Sequence, residues 1–178
     1  MIEFQNELWS ILQNDEYNRV WDKIYSDFKF NPCYTDNGVA PFQFQIPVDC
    51  YDISNSPIYN DDVDINNIIK SIFVKSIDDD DFMYALDWQH TCFRYNPRIN
   101  TVVEYPVFIK DERYEHGGYN VYFPKFYPNG DYYFFIAKDF SWGYLTHPWL
   151  KKVCVFGEVL MNLFKKHSHT LNFISCTL

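Results

Sequence analysis

The segment FMYALDWQHTCFRY, residues 82–95, decides the fold, because the spacing of apolar residues changes where it begins. Upstream, apolar residues such as Ile65, Ile69 and Ile72 recur every three or four positions, which is typical of one face of an α-helix. From Phe82 onward they recur at every second position, which is typical of a half-buried β-strand. We therefore predict that helices precede this point and that a sheet follows it.

Three helices are predicted from apolar residues that share one face. The first spans residues 14–30, and the third spans residues 151–166. The middle helix begins at residue 61 and ends at the aspartate run, residues 78–81. A shorter helix is predicted within residues 4–12. Asp61, Asp62 and Asp64 open the middle helix, because carboxylates suit a helix amino terminus. The aspartate run lacks the alternating ligands of a calcium loop, so we predict that it is a solvated turn.

Four main strands are predicted, at residues 82–95, 101–110, 119–127 and 131–137, with shorter strands within residues 42–46 and 171–175. Short connections join neighbouring strands, which implies antiparallel pairing without crossover helices. We therefore predict an α+β fold, in which helices pack on one face of an antiparallel sheet of about five strands. No linker divides the chain, so residues 1–178 are predicted to form a single domain.

The composition favours protein partners over nucleic acids. The chain has 15 basic and 24 acidic residues, a formal net charge of −9. Nucleic-acid affinity depends on basic side chains that neutralise phosphates, so no nucleic-acid partner is predicted. An acidic chain attracts and steers basic proteins, and a basic protein is therefore the predicted class of partner.

The cysteines and the first residues indicate a cytoplasmic protein. The five cysteines are scattered, and no two have the C-x-x-C spacing of a zinc or redox pair, which indicates a reducing compartment. The opening MIEFQNELWSILQ lacks the basic and then apolar pattern of a signal peptide. The longest apolar stretch is too short to span a bilayer, so no membrane contact is predicted.

Two segments concentrate rings and acidic residues, namely ALDWQH at residues 85–90 and YPNGDYYFF at residues 127–135. They are followed by DF at residues 139–140, HPW at residues 147–149 and VFG at residues 155–157. In this order the motifs resemble those of domain-of-unknown-function family 2716, a bacterial family of uncharacterised proteins. The resemblance covers most of the chain, and it implies membership of the family but no activity.

Asp87, His90 and His147 are the candidate catalytic residues. A histidine titrates near neutral pH, and a carboxylate beside it can orient the ring and hold its proton. Alternation along a regular strand, however, places Asp87 with Gln89 on one face and Trp88 with His90 on the other. The Asp87–His90 pair is therefore geometrically poor, and a catalytic role is the less favoured interpretation.

Structural roles are favoured for the polar residues farther along the chain. Asp131 follows the glycine of a predicted hairpin, where its carboxylate can accept backbone N–H groups. Asp139 is predicted to cap the loop after its strand. His147 is held extended by the proline that follows it, and it is predicted to hydrogen-bond locally and to position Trp149 at the start of the last helix.

No metal site or cofactor is predicted. His167 and His169 do not share a face of a helix, and no third ligand lies near them in the sequence. Cys92 follows His90 by two residues and could form a reactive thiolate, but a cysteine buried among rings is the favoured interpretation. The sequence also lacks a phosphate-binding Walker loop and a dinucleotide fingerprint.

Two classes of function fit these residues. The favoured one is a non-catalytic protein-binding module of immunity or antitoxin type, which blocks a basic toxin through a surface rich in rings. Its candidate binding residues are Trp88, Asp131, Tyr133, Asp139, Trp142 and Trp149. The alternative is a binding protein or hydrolase for a sugar or a nucleoside, with a pocket lined by Trp88, Tyr133, Trp142 and Trp149. This alternative requires Asp87 or His90 to converge with His147.

Overall fold

The computed structural model describes residues 9–33, 40–79, 81–98 and 106–178, without the side chain of Trp9. Over these residues the chain forms ten strands and three α-helices. The strands are β1 (Trp9–Ile11), β2 (Val48–Asp52), β3 (Met83–Asp87), β4 (Phe93–Tyr95), β5 (Val107–Lys110), β6 (Gly118–Val121), β7 (Tyr133–Ala137), β8 (Gly143–His147), β9 (Lys152–Phe156) and β10 (Ile174–Cys176). The helices are α1 (Asn14–Asp27), α2 (Val63–Ser76) and α3 (Glu158–Leu171).

Eight of the described strands form one antiparallel sheet in the order β1-β4-β3-β7-β8-β9-β2-β10, and β5 pairs with β6 in a separate hairpin. The predicted α+β class and the antiparallel pairing are confirmed. The prediction of about five strands is wrong, because the main sheet has eight. Three of these strands, β1, β4 and β10, have only three residues each, which is too short to show a period of two in the sequence.

Helices cover both faces of the sheet, and the prediction that they pack on one face is wrong. Alternate residues of β3 divide between two cores: Met83 and Ala85 pack with buried residues of α2 and α3, whereas Tyr84 and Leu86 pack with those of α1. Every residue of β3, β7 and β8 is buried, so neither face of the central sheet can be left to water. Each α-helix has 14 residues, and no helix among the described residues is long and apolar enough to cross a membrane.

The helix predicted at residues 151–166 begins too early. Lys152–Phe156 is β9, whose last four residues are buried in the sheet, and α3 starts at Glu158. Gly157 separates the two elements with a φ of +89°, and a Cβ on it would lie 2.4 Å from the Cβ of Trp142. The run Val153-Cys154-Val155-Phe156 has the β-branched and aromatic residues of a strand buried on both faces, and such a run also fits a helical spacing of apolar residues.

Several other helix and strand boundaries also differ from the prediction. Residues 9–11 form β1, where a short helix is predicted, and residues 4–8 lie outside the described residues. The strand predicted within residues 42–46 is instead β2, at Val48–Asp52. Of the strand predicted at residues 101–110, residues 107–110 form β5, and residues 101–105 are not described. Asp62 caps α2 as an aspartate is expected to, because its Oδ1 accepts the N–H groups of Asp64 (2.9 Å) and Ile65 (3.1 Å).

Two of the five cysteines are joined in a disulfide. Cys50 on β2 and Cys154 on β9 are directly opposite in the antiparallel register, with their Cα atoms 4.2 Å apart. The interpretation of the cysteines as reduced thiols is therefore wrong for this pair, because the sheet brings together two residues that are 104 positions apart in the sequence. The cytoplasmic location, which rested partly on that interpretation, stays a prediction.

Candidate functional site

A cleft of about 1210 Å³ opens beside the end of β3. One wall is the first half of α2, with Asn66, Asn67 and Lys70. A second wall is the chain that follows β5, including three tyrosines at positions 114, 119 and 122. The inner end is formed by the turn after β3 and by the loop before β7, which bring together Asp87, His90 and Asp131. We call these three residues the carboxylate–histidine cluster.

Asp87 is fixed by the sheet. It is the last residue of β3, paired with Tyr133 of β7, and alternation places it on the face of α2 and α3 with Met83 and Ala85. The side chain lies against the cleft, yet only 6% of Asp87 is exposed. The sheet therefore holds a carboxyl group almost entirely out of water at the inner end of the cleft.

His90 is brought back to Asp87 by a turn that interrupts the predicted strand. β3 ends at Asp87, and Gln89 adopts a φ of +67°. The backbone N–H of His90 donates to the carbonyl oxygen of Asp87 at 3.1 Å, which closes the turn. The prediction that strand alternation separates Asp87 from His90 is therefore wrong, because residues 88–92 are not a strand.

Asp131 completes the cluster from the loop before β7. Its Oδ1 accepts the backbone N–H of Tyr132 at 2.9 Å, so the predicted turn role is confirmed. Its Oδ2 lies 3.0 Å from Nε2 of His90. One donor atom from each of Asp87, His90 and Asp131 lies within 4.8 Å of the other two.

The environment of Asp87 favours its neutral form. The pKa of Asp87 is raised from 3.8 to about 8, chiefly by burial and also by its interactions with the carboxylate of Asp131. Two carboxyl groups this close disfavour double ionisation, and burial disfavours the charged form of the less exposed one. At neutral pH Asp87 is therefore mainly protonated.

Polar side chains also line the cleft away from the cluster. Nζ of Lys125 lies 2.8 Å from Oη of Tyr127 and 3.1 Å from Oδ2 of Asp61. Oη of Tyr127 donates to Oδ1 of Asp61 at 2.7 Å. Sequence reasoning missed these three residues and Lys70, because their spacing matches no motif and only the tertiary fold places them in one cleft.

The structure does not bring His147 to Asp87 and His90. His147 ends β8 two residues after Leu145, which packs with α1, so alternation places His147 on the opposite face of the sheet from Asp87. Its ring lies 5.6 Å from that of Tyr132, centroid to centroid, on the α1 side. The sheet therefore separates His147 from the cluster, and the proposed convergence is not found.

The four aromatic residues that are predicted to line one pocket lie in different parts of the structure. Tyr133 lines the cleft, whereas Trp88 packs with α1 and donates through Nε1 to Oη of Tyr25 at 3.1 Å. Trp142 stacks on Phe73 in the α2–α3 core. Trp149 lies at the surface, where its Nε1 donates to the carbonyl oxygen of Cys33 at 2.7 Å.

Three other candidates have local roles. Oδ1 of Asp139 accepts the backbone N–H (3.0 Å) and the hydroxyl (2.6 Å) of Ser141, which caps the loop after β7 as predicted. Cys92 is buried, and burial raises the pKa of its thiol to about 12, which agrees with a packed cysteine. His167 and His169 lie on α3, outside the cleft.

Comparison with known proteins adds the family. The model of the family described as "Protein of unknown function (DUF2716)" matches residues 11–161. The uncharacterized protein YxiI of Bacillus subtilis (strain 168) is 34% identical over 161 residues, which cover 86% of this chain and 90% of that protein. No solved structure matches the chain. The chain therefore belongs to the DUF2716 family of proteins of unknown function.

Proposed function

We propose that this protein binds a small nucleoside-type molecule in the cleft and hydrolyses it at the carboxylate–histidine cluster. The observation that carries the proposal is the convergence of Asp87, His90 and Asp131 at the inner end of the cleft. Carboxylates and imidazoles are the side chains that most often move protons in hydrolysis, and a raised carboxyl pKa in a cleft is typical of functional sites.

The other walls of the cleft suit a ligand that has a flat ring and polar edges. The rings of Tyr114 and Tyr119 lie 4.8 Å apart, centroid to centroid, and Tyr122 lines the same wall. Asn66 and Asn67 offer amide donors and acceptors from α2. A ring stacked on tyrosine and hydrogen-bonded to amides is a common arrangement in ligand sites.

The cluster geometry disfavours hydrolysis of a glycosidic bond by two carboxyl groups. Glycoside hydrolases keep their two carboxyl groups about 5 to 9.5 Å apart, so that the sugar or a water fits between them. One carboxylate oxygen of Asp87 lies within 4.8 Å of one of Asp131, which is less than this separation. The cluster instead suits activation of one water, whose oxygen forms a bond to a base carbon or an ester phosphorus of the nucleoside-type molecule as the bond from that atom to the amine or alcohol leaving group breaks. The proton of that water passes through the cluster to the leaving group.

A binding and turnover screen tests this function. Calorimetry with nucleosides and nucleotides should identify a ligand, and chromatography should detect its hydrolysis. Asp131→Asn should lower kcat at least about 100-fold, because it removes the carboxylate that contacts both His90 and Asp87. Asp139→Asn is the matched control, because it changes a loop aspartate with similar hydrogen bonds outside the cleft, and it should keep wild-type turnover. Equal turnover in both variants, or no binding by any compound, would contradict the proposal.

A second candidate function is inhibition of a basic protein, such as a toxin. It is favoured by the net charge of −9 and by three exposed apolar or aromatic side chains at the cleft, Val63, Tyr114 and Tyr122. Immobilised protein should retain a basic partner from the native host, added salt should release it, and the double variant Y114A/Y122A should fail to retain it. Retention that is indifferent to salt and to these tyrosines, or no retention, would rule this function out.

A further inference from the structure

The carboxylate–histidine cluster has the donors of a metal site. It offers two carboxylate oxygens and one imidazole nitrogen, and the three donor atoms lie within 4.8 Å of one another. Zinc binds such donors at about 2.0 to 2.2 Å, so donors of one ion are separated by up to about 4.4 Å. Small side-chain rotations are therefore enough to place one ion between all three groups.

The buried oxygen of Asp87 is a second and independent indication of a ligand. Asp87 is only 6% exposed, and its Oδ1 is buried without a hydrogen-bond partner among the described residues. Buried polar atoms in proteins are almost always satisfied, and an exception is explained by a bound water, an ion or a functional role. A hydrogen-bonded His90–Asp131 pair could act on a proton without any second carboxyl group. A cation between the three residues accounts for the presence of Asp87.

The exposure of the other two ligands indicates that the coordination sphere is open. The side chain of His90 is 61% exposed and that of Asp131 is 25% exposed, so the cluster is buried only on the side of Asp87. Structural zinc sites are closed by four protein ligands, whereas catalytic sites have three and leave a position for water. We propose that Asp87, His90 and Asp131 bind one divalent transition-metal cation, Zn²⁺ or Mn²⁺, with its open position towards the cleft.

The cation also indicates which substrates the proposed hydrolysis favours. This part of the inference rests on the proposed function. Lys70 and Lys125 line the same cleft, and because Lys125 is paired with Asp61, Lys70 and the cation supply the positive charge for a phosphate ester. A metal-bound water loses its proton to become hydroxide, and its oxygen forms a bond to phosphorus as the bond to the ester oxygen breaks. The released proton goes to that oxygen as the alcohol leaves. A nucleotide is therefore favoured over a nucleoside.

Calorimetry on the full chain, without an affinity tag and after removal of metals with EDTA and dialysis, tests the cation site. ZnCl₂ and MnCl₂ are titrated separately, and we expect one ion per chain. Asp87→Asn and His90→Gln should each weaken binding at least about 10-fold, because each replaces a ligand. His169→Gln is the control, since it changes an exposed histidine of α3, and it should bind as the wild type does. The near-ultraviolet circular dichroism of each variant reports whether it is folded.

The possible outcomes separate this inference from the proposed function. No binding, or binding that Asp87→Asn and His90→Gln leave unchanged in folded protein, overturns the cation site. If metal-free protein still hydrolyses a nucleotide and Asp131→Asn does not, the cation site is wrong and the proposed function stands. If the cation binds at the cluster but nucleotides neither bind nor react, the proposed function is wrong and the cation site stands.

Discussion

Asp87→Asn is expected to raise the free energy of unfolding of metal-free protein by up to about 5 kcal/mol at alkaline pH, and to change it little in acid. The pKa of Asp87 is raised to about 8 in the folded protein, mainly by burial, from 3.8. Below about pH 4, both the folded and the unfolded chain hold this proton. Between about pH 4 and pH 8, the unfolded chain releases it and the folded chain keeps it, so the wild type loses stability as pH rises. Asparagine has the same shape and no charge, so the variant avoids this loss.

Urea unfolding in EDTA, at several pH values from about 5 to about 9, measures this difference. Asp139→Asn is the control, and it should change the free energy of unfolding in the opposite direction. The pKa of Asp139 is lowered, chiefly by the hydroxyl of Ser141, so its charged form stabilises the fold and its loss should slightly lower stability at higher pH. A stability difference between Asp87→Asn and wild type that stays constant with pH would contradict a buried, neutral Asp87.

Phe73→Ala is expected to lower the free energy of unfolding by about 3 to 5 kcal/mol. Phe73 is completely buried on α2, and its ring centroid lies between 5.5 and 6.3 Å from five other aromatic rings. Those rings belong to Phe126, Phe135, Trp142, Tyr144 and Phe164. Truncation leaves a cavity that rigid rings cannot fill, and it loosens the helix that carries the Asn66, Asn67 and Lys70 wall of the cleft.

Phe108→Ala is the matched control for this cavity, because Phe108 is 48% exposed on β5. Its removal should cost less than about 1 kcal/mol, since little apolar surface leaves the core. Urea unfolding of both variants at one pH gives the comparison. The ring contacts indicate that Phe73 joins α2 to the sheet. A small and similar loss of unfolding free energy in both variants would contradict this.

The change of apolar spacing at Phe82 was enough to predict the fold class. It correctly places α1 and α2 before the change, and β3, β4 and β7 after it. The turn predicted at residues 128–131 is present as bends before β7, but the predicted hairpin is wrong, because the preceding strand, β6, ends at Val121 and pairs with β5 and not with β7. The correctly predicted features succeed because each depends on local residues whose backbone preferences agree with the final structure.

The sequence could not show which faces of the sheet are covered. Strands such as Tyr133–Ala137 are apolar at nearly every position, and such a run indicates burial without saying what covers each face. Similarly, Lys152–Phe156 joins directly to α3, so its apolar residues extend the helical spacing by one more turn. The pairing of β2 with β9 makes residues 152–156 a strand and not part of the helix, but this long-range pairing leaves no local signal in the sequence.

The sequence indicates the residues of the site but not their arrangement. Asp87, His90 and Asp131 all lie within the two motifs that carry the family resemblance, ALDWQH and YPNGDYYFF, and joining those motifs would have grouped them. The turn at Gln89 is not predicted from the sequence, because glutamine rarely adopts a positive φ and the alternation over residues 82–95 predicts one continuous strand. Only the pairing of β3 with β7 places the ends of both motifs side by side.

Asp87 lies buried against Asp131 and His90 at the inner end of the cleft. Carbon-13 NMR of the aspartate carboxyl groups in EDTA, followed from about pH 3 to about pH 10 and assigned with Asp87→Asn, tests it most directly. We expect the Asp87 resonance to titrate with a midpoint of about 8. A midpoint near the ordinary aspartate value of about 4 would mean that Asp87 is solvated and apart from Asp131, and the cluster would not exist.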